Sequence, residues 1–145
     1  MEENMFDINK LEVMDIVFAD EAHERFFYEK VRELPNSRRD SEEIAMIYTL
    51  GICDKTRAAF SNIVDQRTFQ VNPLVLFAGW QTSASVKVTR LAINLYTGFS
   101  QEVKRDDSIE GYHIGEDSSD YAVEEIFDCP YAKYFLEAVK LRYDI

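Results

Sequence analysis

The chain has 145 residues, 46% of them hydrophobic and 13% aromatic, so it can bury a core and intrinsic disorder is not expected. Its five Gly and three Pro are too few for a β-sandwich with many turns. The net charge of −11 disfavours direct binding to nucleic acid or to an anionic membrane, because both need a basic surface on the protein.

Helix caps and periodic apolar residues predict three helices in the first part of the chain. Asp20 is the expected N-cap of the first helix, which Pro35 ends. Asp40 and Glu43 have the spacing of a capping box at the start of the second helix. Asp54 is the expected N-cap of the third helix.

Gly51 lies near the end of the second predicted helix. A glycine within a helix costs about 1 kcal/mol relative to alanine. It therefore either ends the helix or allows close contact with a neighbouring element.

The central part of the chain predicts two further helices. Asn72 is an N-cap candidate, and Pro73 suits the first helical position. The short segment PLVLFAG that follows is apolar all round and is expected to be buried on every side. Thr82 then caps a longer helix. Gly98 ends that helix and is expected to be its C-terminal capping residue.

The C-terminal part predicts a loop and two helices. Residues 99–118 are read as an irregular acidic loop, which could include a short hairpin around Ser108–Ile114. Ser119 or Asp120 caps a short helix, and Pro130 is the first residue of the last helix. The fold class predicted for residues 1–145 is thus mostly α, a single compact domain of about six or seven helices.

The charge is unevenly distributed along these elements. Residues 1–36 have a net charge of −6, residues 37–105 of +3 and residues 106–145 of −8. The acidic ends suit a basic partner, such as a nucleic-acid-binding protein. An acidic surface that only keeps the protein in solution is the alternative explanation.

No metal site and no cofactor are expected. His23 and His113 belong to no recognised ligand pattern and are interpreted as surface histidines. The segment from Asp106 to Asp117 has a faint resemblance to a calcium loop, but His113 stands where an aliphatic residue is usual.

The sequence does not predict an enzyme. Lys55 and Arg57 near Cys53 could lower the pKa of its thiol, yet its apolar surroundings favour a buried structural cysteine. The Gly-x-Ser-x-Gly pattern of many hydrolases does not occur. Whether Cys53 pairs with Cys129 is left open.

Two sets of residues are candidate binding sites. The first set combines acidic residues with a tyrosine, as an interface with a basic protein would; it comprises Glu110, Glu116, Asp117, Asp120, Tyr121, Glu124, Glu125 and Asp128. The second set is polar and could bind a small ligand or nucleotide; it comprises Arg57, Gln81, Thr82, Arg90 and Asn94. The competing explanation for the second set is that Thr82 caps its helix while Arg57 and Arg90 pair with acidic groups of the chain.

The sequence favours the cytoplasm of a bacterial host. The acidic N-terminus lacks the apolar segment of a secretory signal. No apolar run approaches the ~18 residues that span a membrane. Association with a membrane is therefore not expected.

Several segments resemble an uncharacterised family of small proteins from bacterial phages and mobile elements. They are YTLGICDKTR (Tyr48–Arg57), GWQTSASVKVTRLAINLYTG (Gly79–Gly98), the upstream HERFFYEKV and the downstream PYAKYFLEAVKLRY. The resemblance implies no activity and no catalytic residues. It implies a context in which small acidic proteins often counter host defence, for example as inhibitors of CRISPR nucleases.

Three functional hypotheses follow. The preferred one is a non-enzymatic, anti-CRISPR-like inhibitor that binds a host nuclease or another nucleic-acid-binding protein through the acidic residues. The alternative is a small-ligand or nucleotide-binding protein that uses the polar set. A structural protein that acts as a homo-oligomer is the third, and a homodimer is compatible with the first.

Overall fold

The computed structural model describes residues 8–144, and the side chains of residues 11–144. This part of the chain contains eight α-helices: α1 (Ile8–Val13), α2 (Glu21–Glu33), α3 (Ser41–Leu50), α4 (Asp54–Ala58), α5 (Phe60–Ile63), α6 (Ser83–Thr97), α7 (Val123–Ile126) and α8 (Ala132–Tyr143). Three short 3₁₀ helices span Asn36–Arg38, Pro73–Phe77 and Ser119–Tyr121. Two strands, β1 (Gln101–Arg105) and β2 (Tyr112–Asp117), form an antiparallel hairpin.

The predicted fold class is wrong, because the structure is a mixed α and β domain with more helices than expected. The stretch interpreted as an irregular loop is mostly this hairpin, in which Val103 pairs with Ile114 and Arg105 with Tyr112. A β-bulge between Gln101 and Val103 interrupts the register. Only Val103 among the strand residues is buried, so the two strands lack the alternating apolar pattern that would have indicated them.

Helix α3 lies at the centre of the core. Every residue from Glu43 to Leu50 is buried, which fits a helix that is apolar on all sides. Helices α2, α6 and α8 pack around it. Their buried residues Phe27, Val88 and Phe135 belong to the same hydrophobic cluster as Ile44.

His23 joins α2 to α3 and is not the surface histidine that the sequence predicted. Its side chain is fully buried. The Nε2 atom lies 2.7 Å from the carbonyl oxygen of Tyr48, and Nδ1 accepts a hydrogen bond of 3.0 Å from the N–H of Ala19. The ring also packs edge-on against Phe18, with the two centroids 5.1 Å apart. Both ring nitrogens are satisfied by a neutral imidazole that carries its proton on Nε2.

Gly51 follows α3 and allows this close contact between helices. A Cβ atom at Gly51 would lie 2.7 Å from Cδ2 of His23 and 2.8 Å from Cδ1 of Phe26. Carbon atoms do not approach so closely, since the optimal separation is about 3.5–4.0 Å. Gly51 both ends the helix and permits the approach of α2.

Replacing Gly51 with Ala is expected to lower the free energy of unfolding by about 1–2 kcal/mol. Overpacking typically costs about 1–3 kcal/mol, and the better helix propensity of Ala offsets part of that cost. Urea denaturation measures the change. Gly79→Ala is the matched control, because a Cβ at Gly79 would meet no atom within 4 Å. Equal stability of the two variants would contradict the proposed role of Gly51.

Several predicted caps are confirmed. Asp20 accepts a hydrogen bond of 2.7 Å from the N–H of His23 at the start of α2. Thr82 and Ser85 form a reciprocal capping box at the start of α6. Gly98 ends α6 in the left-handed conformation, with a φ of 77°.

Other predicted capping details are wrong, although α3 does begin directly after Asp40, as the sequence predicted. The side chain of Asp40 makes no capping bond, and Oε2 of Glu43 has no hydrogen-bond partner among the described residues, so the capping box is not formed. Asp54 is the first residue of α4, which has Cys53 in the N-cap position. The last helix begins at Ala132 rather than at Pro130, because residues 128–131 form a bend and a turn.

The segment after Asn72 is more exposed than its composition predicted. Asn72 caps the 3₁₀ helix by accepting a hydrogen bond from the N–H of Leu74, as expected. Only Val75 within that helix is buried, and Phe77 is partly exposed. The Arg105 guanidinium covers Phe77 at 4.6 Å from the ring centroid and donates a hydrogen bond of 2.8 Å to its carbonyl oxygen. These contacts attach the hairpin to the rest of the domain.

Candidate functional site

The most strongly charged part of the molecule is residues 106–128, which we call the acidic segment. It contains nine carboxylates and no Lys or Arg. The segment runs from the hairpin turn through β2 to the bend after α7. All seven predicted acidic binding residues are exposed in it: Glu110, Glu116, Asp117, Asp120, Glu124, Glu125 and Asp128. The eighth predicted residue, Tyr121, is partly buried.

Most of these carboxylates have no cationic neighbour. Among the described residues, Asp106 pairs with His113 and Asp120 with Arg90. No other Lys, Arg or His nitrogen from residues 11–144 lies within 4 Å of a carboxylate of the acidic segment. The unpaired carboxylates therefore give this segment a strong negative potential toward solvent.

Three apolar side chains are exposed among the acidic ones. Ile109 at the hairpin turn is fully exposed, Val123 at the start of α7 is 72% exposed, and Ile114 on β2 is 45% exposed. Exposed β-branched residues surrounded by charges contribute nothing to the core. They are available for apolar contacts with another protein.

Helix α6 holds the acidic segment in place. Arg90 lies 3.4 Å from the carboxylate of Asp120, and Lys87 donates a hydrogen bond of 2.6 Å to the carbonyl oxygen of Asp128. The segment thus follows α6 toward its N-terminus. The predicted internal pairing of Arg90 is confirmed, and Arg57 also pairs with an acidic group, at 3.8 Å from Asp20.

Tyr121 meets Arg90 and Asp120 at a small cavity of about 180 Å³. Its hydroxyl oxygen is buried and has no hydrogen-bond partner among the described residues. Burial raises the pKa of Tyr121 to about 12, and Asp120 adds to the increase while Arg90 opposes it. The phenol therefore stays neutral at physiological pH and can donate a hydrogen bond into the cavity.

The structure does not bring the five residues of the polar set together around one cavity. Gln81 donates hydrogen bonds to the carbonyl oxygen of Val75 and to Thr89, and Thr82 caps α6. Arg57 donates to the carbonyl oxygen of Gly51 at 2.7 Å. Asn94 donates to the carbonyl oxygen of Phe99 at 3.2 Å, near the opposite end of α6. Each of these side chains is engaged within the chain.

The two cysteines are free thiols. Cys53 is buried, and its sulfur lies 3.4 Å from the hydroxyl of Thr56. Burial raises the pKa of the partly exposed Cys129 thiol. The environment of Cys129 therefore disfavours the thiolate that a nucleophilic cysteine needs.

The stretch that faintly resembled a calcium loop forms the hairpin turn and β2. Asp106 accepts a hydrogen bond of 2.8 Å from the N–H of Ser108 and contacts His113. Asp117 lies at the other end of β2, opposite Gln101. Because a strand separates the two carboxylates, they do not share one coordination sphere.

Sequence reasoning identified the acidic residues but missed the exposed apolar residues among them. Ile109 and Ile114 lie in a stretch that the sequence predicts to be an irregular loop. A loop prediction does not say whether an apolar side chain is buried or exposed. The turn between β1 and β2 spans residues 106–111, and a hairpin predicted there would have placed Ile109 at its tip.

No helix in the described part is both long and apolar enough to cross a membrane.

Comparisons with known proteins give the family of the chain. No curated protein and no solved structure matches the sequence. Residues 13–145 match the model of a family of unknown function, DUF6075, and the chain belongs to that family.

Proposed function

We propose that this chain is a non-enzymatic interaction protein of a phage or mobile element. It acts in the cytoplasm of a bacterial host, where it binds and inhibits a nucleic-acid-handling defence protein, such as a CRISPR nuclease. The observation that carries the proposal is the acidic segment, with nine carboxylates, no Lys or Arg, and three exposed apolar residues.

The charge of the segment determines the kind of partner. Proteins that handle nucleic acid present basic grooves, because they neutralise phosphates with Lys and Arg. A row of carboxylates attracts the same groove and competes with the nucleic acid for it. The exposed Ile109, Ile114 and Val123 supply the apolar contacts that charge alone does not provide.

The attachment of the segment supports a preformed surface. Arg90 and Lys87 bind it on the α6 side, and these contacts leave Glu116, Asp117, Glu124 and Glu125 exposed. A rigid surface loses less conformational entropy on binding than a flexible one. The side chains of the polar set are engaged within the chain and give no comparable support to a ligand-binding function.

The proposal is tested with purified, guide-loaded CRISPR nucleases of several types. The wild-type chain is expected to inhibit target cleavage by at least one of them. Reversing two charges, in Glu116→Lys with Asp117→Lys, is expected to raise the inhibitory concentration at least tenfold. The matched control reverses Glu24 and Glu29, two exposed carboxylates on α2, and should inhibit like the wild type. Equal inhibition by both double variants would contradict the proposal.

A second prediction concerns the apolar tip of the hairpin. Replacing Ile109 with Ser should leave the free energy of unfolding within about 0.5 kcal/mol of the wild type, because the side chain is fully exposed. The same variant should bind the nuclease at least fivefold more weakly. Chemical denaturation and biolayer interferometry measure the two quantities. A substantial loss of stability with unchanged binding would show that Ile109 has a structural role instead.

A further inference from the structure

A second cavity among the described residues is lined by none of the carboxylates discussed above. Its volume is about 650 Å³, which falls within the range of about 300–1,000 Å³ typical of small-molecule sites. Four parts of the chain line it: the 3₁₀ helix at Asn36–Arg38, the segment at residues 68–73, the end of α6 with Phe99 just beyond it, and Tyr112 at the start of β2. None of the five residues of the polar set is among the lining residues.

The lining includes four aromatic rings and one cation. The rings are those of Phe69, Tyr96, Phe99 and Tyr112, and the cation is Arg38. Such a combination offers flat apolar surfaces for a ring together with a donor for an acidic group.

Arg38 differs from four other arginines of the molecule because no carboxylate of the described residues holds it. Among the described residues, Arg32, Arg57, Arg90 and Arg142 each have a carboxylate within 4 Å, whereas Arg38 has none. Its guanidinium lies over the ring of Phe69, at 5.4 Å from the centroid. Stacking positions the guanidinium beside the hydroxyl of Tyr96, and this one contact leaves further N–H donors of the planar group for a bound anion.

Phe69 has a backbone conformation that bulky residues rarely adopt. Its φ is +58°, in the left-handed region where glycine or asparagine is usual. Strained residues of this kind cluster at functional sites, where the position of the side chain outweighs the cost in backbone energy. Here the strained backbone carries the ring on which Arg38 stacks.

Neighbouring hydrogen bonds fix this conformation. The hydroxyl of Tyr96 donates a hydrogen bond of 2.7 Å to the carbonyl oxygen of Phe69. The N–H of Phe69 donates one of 2.6 Å to the carbonyl oxygen of Asp65, and the side chain of Asp65 accepts from the N–H groups of Arg67 and Thr68. The wall of the cavity is thus rigid before any ligand binds.

We propose that this cavity binds a small organic anion with an aromatic ring, its acidic group at Arg38 and its ring against the aromatic lining. The acidic segment contributes only Tyr112 to the lining, and the proposal does not rest on the function proposed for that segment. A net charge of −11 opposes the approach of a long nucleic acid, so the ligand is a single small molecule. A ring carrying a carboxylate, a sulfonate or one phosphate meets these requirements.

The test uses 1-anilinonaphthalene-8-sulfonate, whose fused rings and sulfonate have the required chemistry. Isothermal titration calorimetry on the folded full-length chain should show one saturable site with a micromolar dissociation constant. Adenosine monophosphate should displace the probe, because it combines a ring with a phosphate. Inorganic phosphate should require at least tenfold higher concentrations. Equal competition by phosphate would overturn the requirement for a ring.

Variants locate the site. Arg38→Ala should weaken binding of the probe at least tenfold, and Arg38→Lys should retain part of the affinity. Thr97→Trp, which fills the cavity from the exposed end of α6, should also abolish binding while leaving Arg38 intact. Arg67→Ala is the matched control, because Arg67 is an exposed arginine of the adjacent loop that does not line this cavity.

Urea denaturation of each variant keeps the result interpretable. Wild-type stability with loss of binding in Arg38→Ala and Thr97→Trp supports the site. Unchanged probe affinity in both variants would overturn it, as would several equivalent weak sites on the wild-type chain.

Discussion

Replacing His23 with Ala is expected to lower the free energy of unfolding by about 3–5 kcal/mol, the range typical of deleting a large buried ring. The imidazole is fully buried between Phe18 and Tyr48. Its loss leaves a cavity between α2 and α3 and removes the acceptor for the N–H of Ala19. An unpaired backbone donor adds its own desolvation cost.

Urea denaturation of the two variants His23→Ala and His113→Ala measures this effect. His113 is exposed on β2, so its replacement should change the free energy of unfolding by less than about 1 kcal/mol. A His23→Ala variant as stable as the His113→Ala control would show that the buried ring does not hold the two helices together.

The second large effect is a loss of stability in mild acid. Burial lowers the pKa of His23 to about 4 from its ordinary value of 6.5, although the hydrogen bond to Tyr48 and the charge of Asp20 oppose the change. Between these two values the unfolded chain binds a proton that the folded chain does not, so acid favours unfolding. The stability that neutral His23 gives the folded state is fully present above pH 6.5. It is lost as the pH falls toward 4, for a total of about 3 kcal/mol.

The His23→Gln variant isolates this contribution from that of the carboxylates. A glutamine amide can donate to the carbonyl oxygen of Tyr48 and accept from Ala19, but it does not titrate. Between pH 7.5 and pH 5 the wild type should lose about 2 kcal/mol more than His23→Gln. Parallel curves for the wild type and His23→Gln would contradict the assignment.

The sequence predicted the elements whose signals are local. Asp20, Thr82 and Gly98 mark helix ends through contacts with residues at most four positions away, so their roles could be read from spacing. For Gly51 the sequence allows two roles, ending its helix or permitting close contact with a neighbouring element. Choosing between them required the positions of His23 and Phe26, which lie on another helix.

The features that were predicted wrongly depend on distant partners. The hairpin shows a buried residue only at Val103, and its attachment depends on Arg105 reaching Phe77. His23 lies between acidic residues in the sequence, yet the partner that explains its burial is Tyr48. The Asp40 pattern matched a capping box whose bonds the structure does not form.

The candidate site also combines features that the local sequence predicts with features that depend on distant residues. The acidic residues of the C-terminal part could be identified from charge alone, and the internal pairing of Arg90 followed from the excess of carboxylates. The exposure of Ile109 depends on the hairpin, which the sequence indicated only as a possible short element around Ser108–Ile114. The sequence does not predict the cavity at Arg38, because the residues that line it come from four separated segments.

The salt dependence of binding tests the central claim most directly. Biolayer interferometry would measure the affinity of the chain for an inhibited nuclease at 50 mM and 300 mM salt, with the double variant Glu116→Lys, Asp117→Lys alongside. If the acidic segment is the contact surface, the wild-type affinity should fall at least tenfold over this range, because salt screens the attraction. The double variant should start weaker and depend less on salt. An affinity that neither salt nor charge reversal changes would contradict the claim.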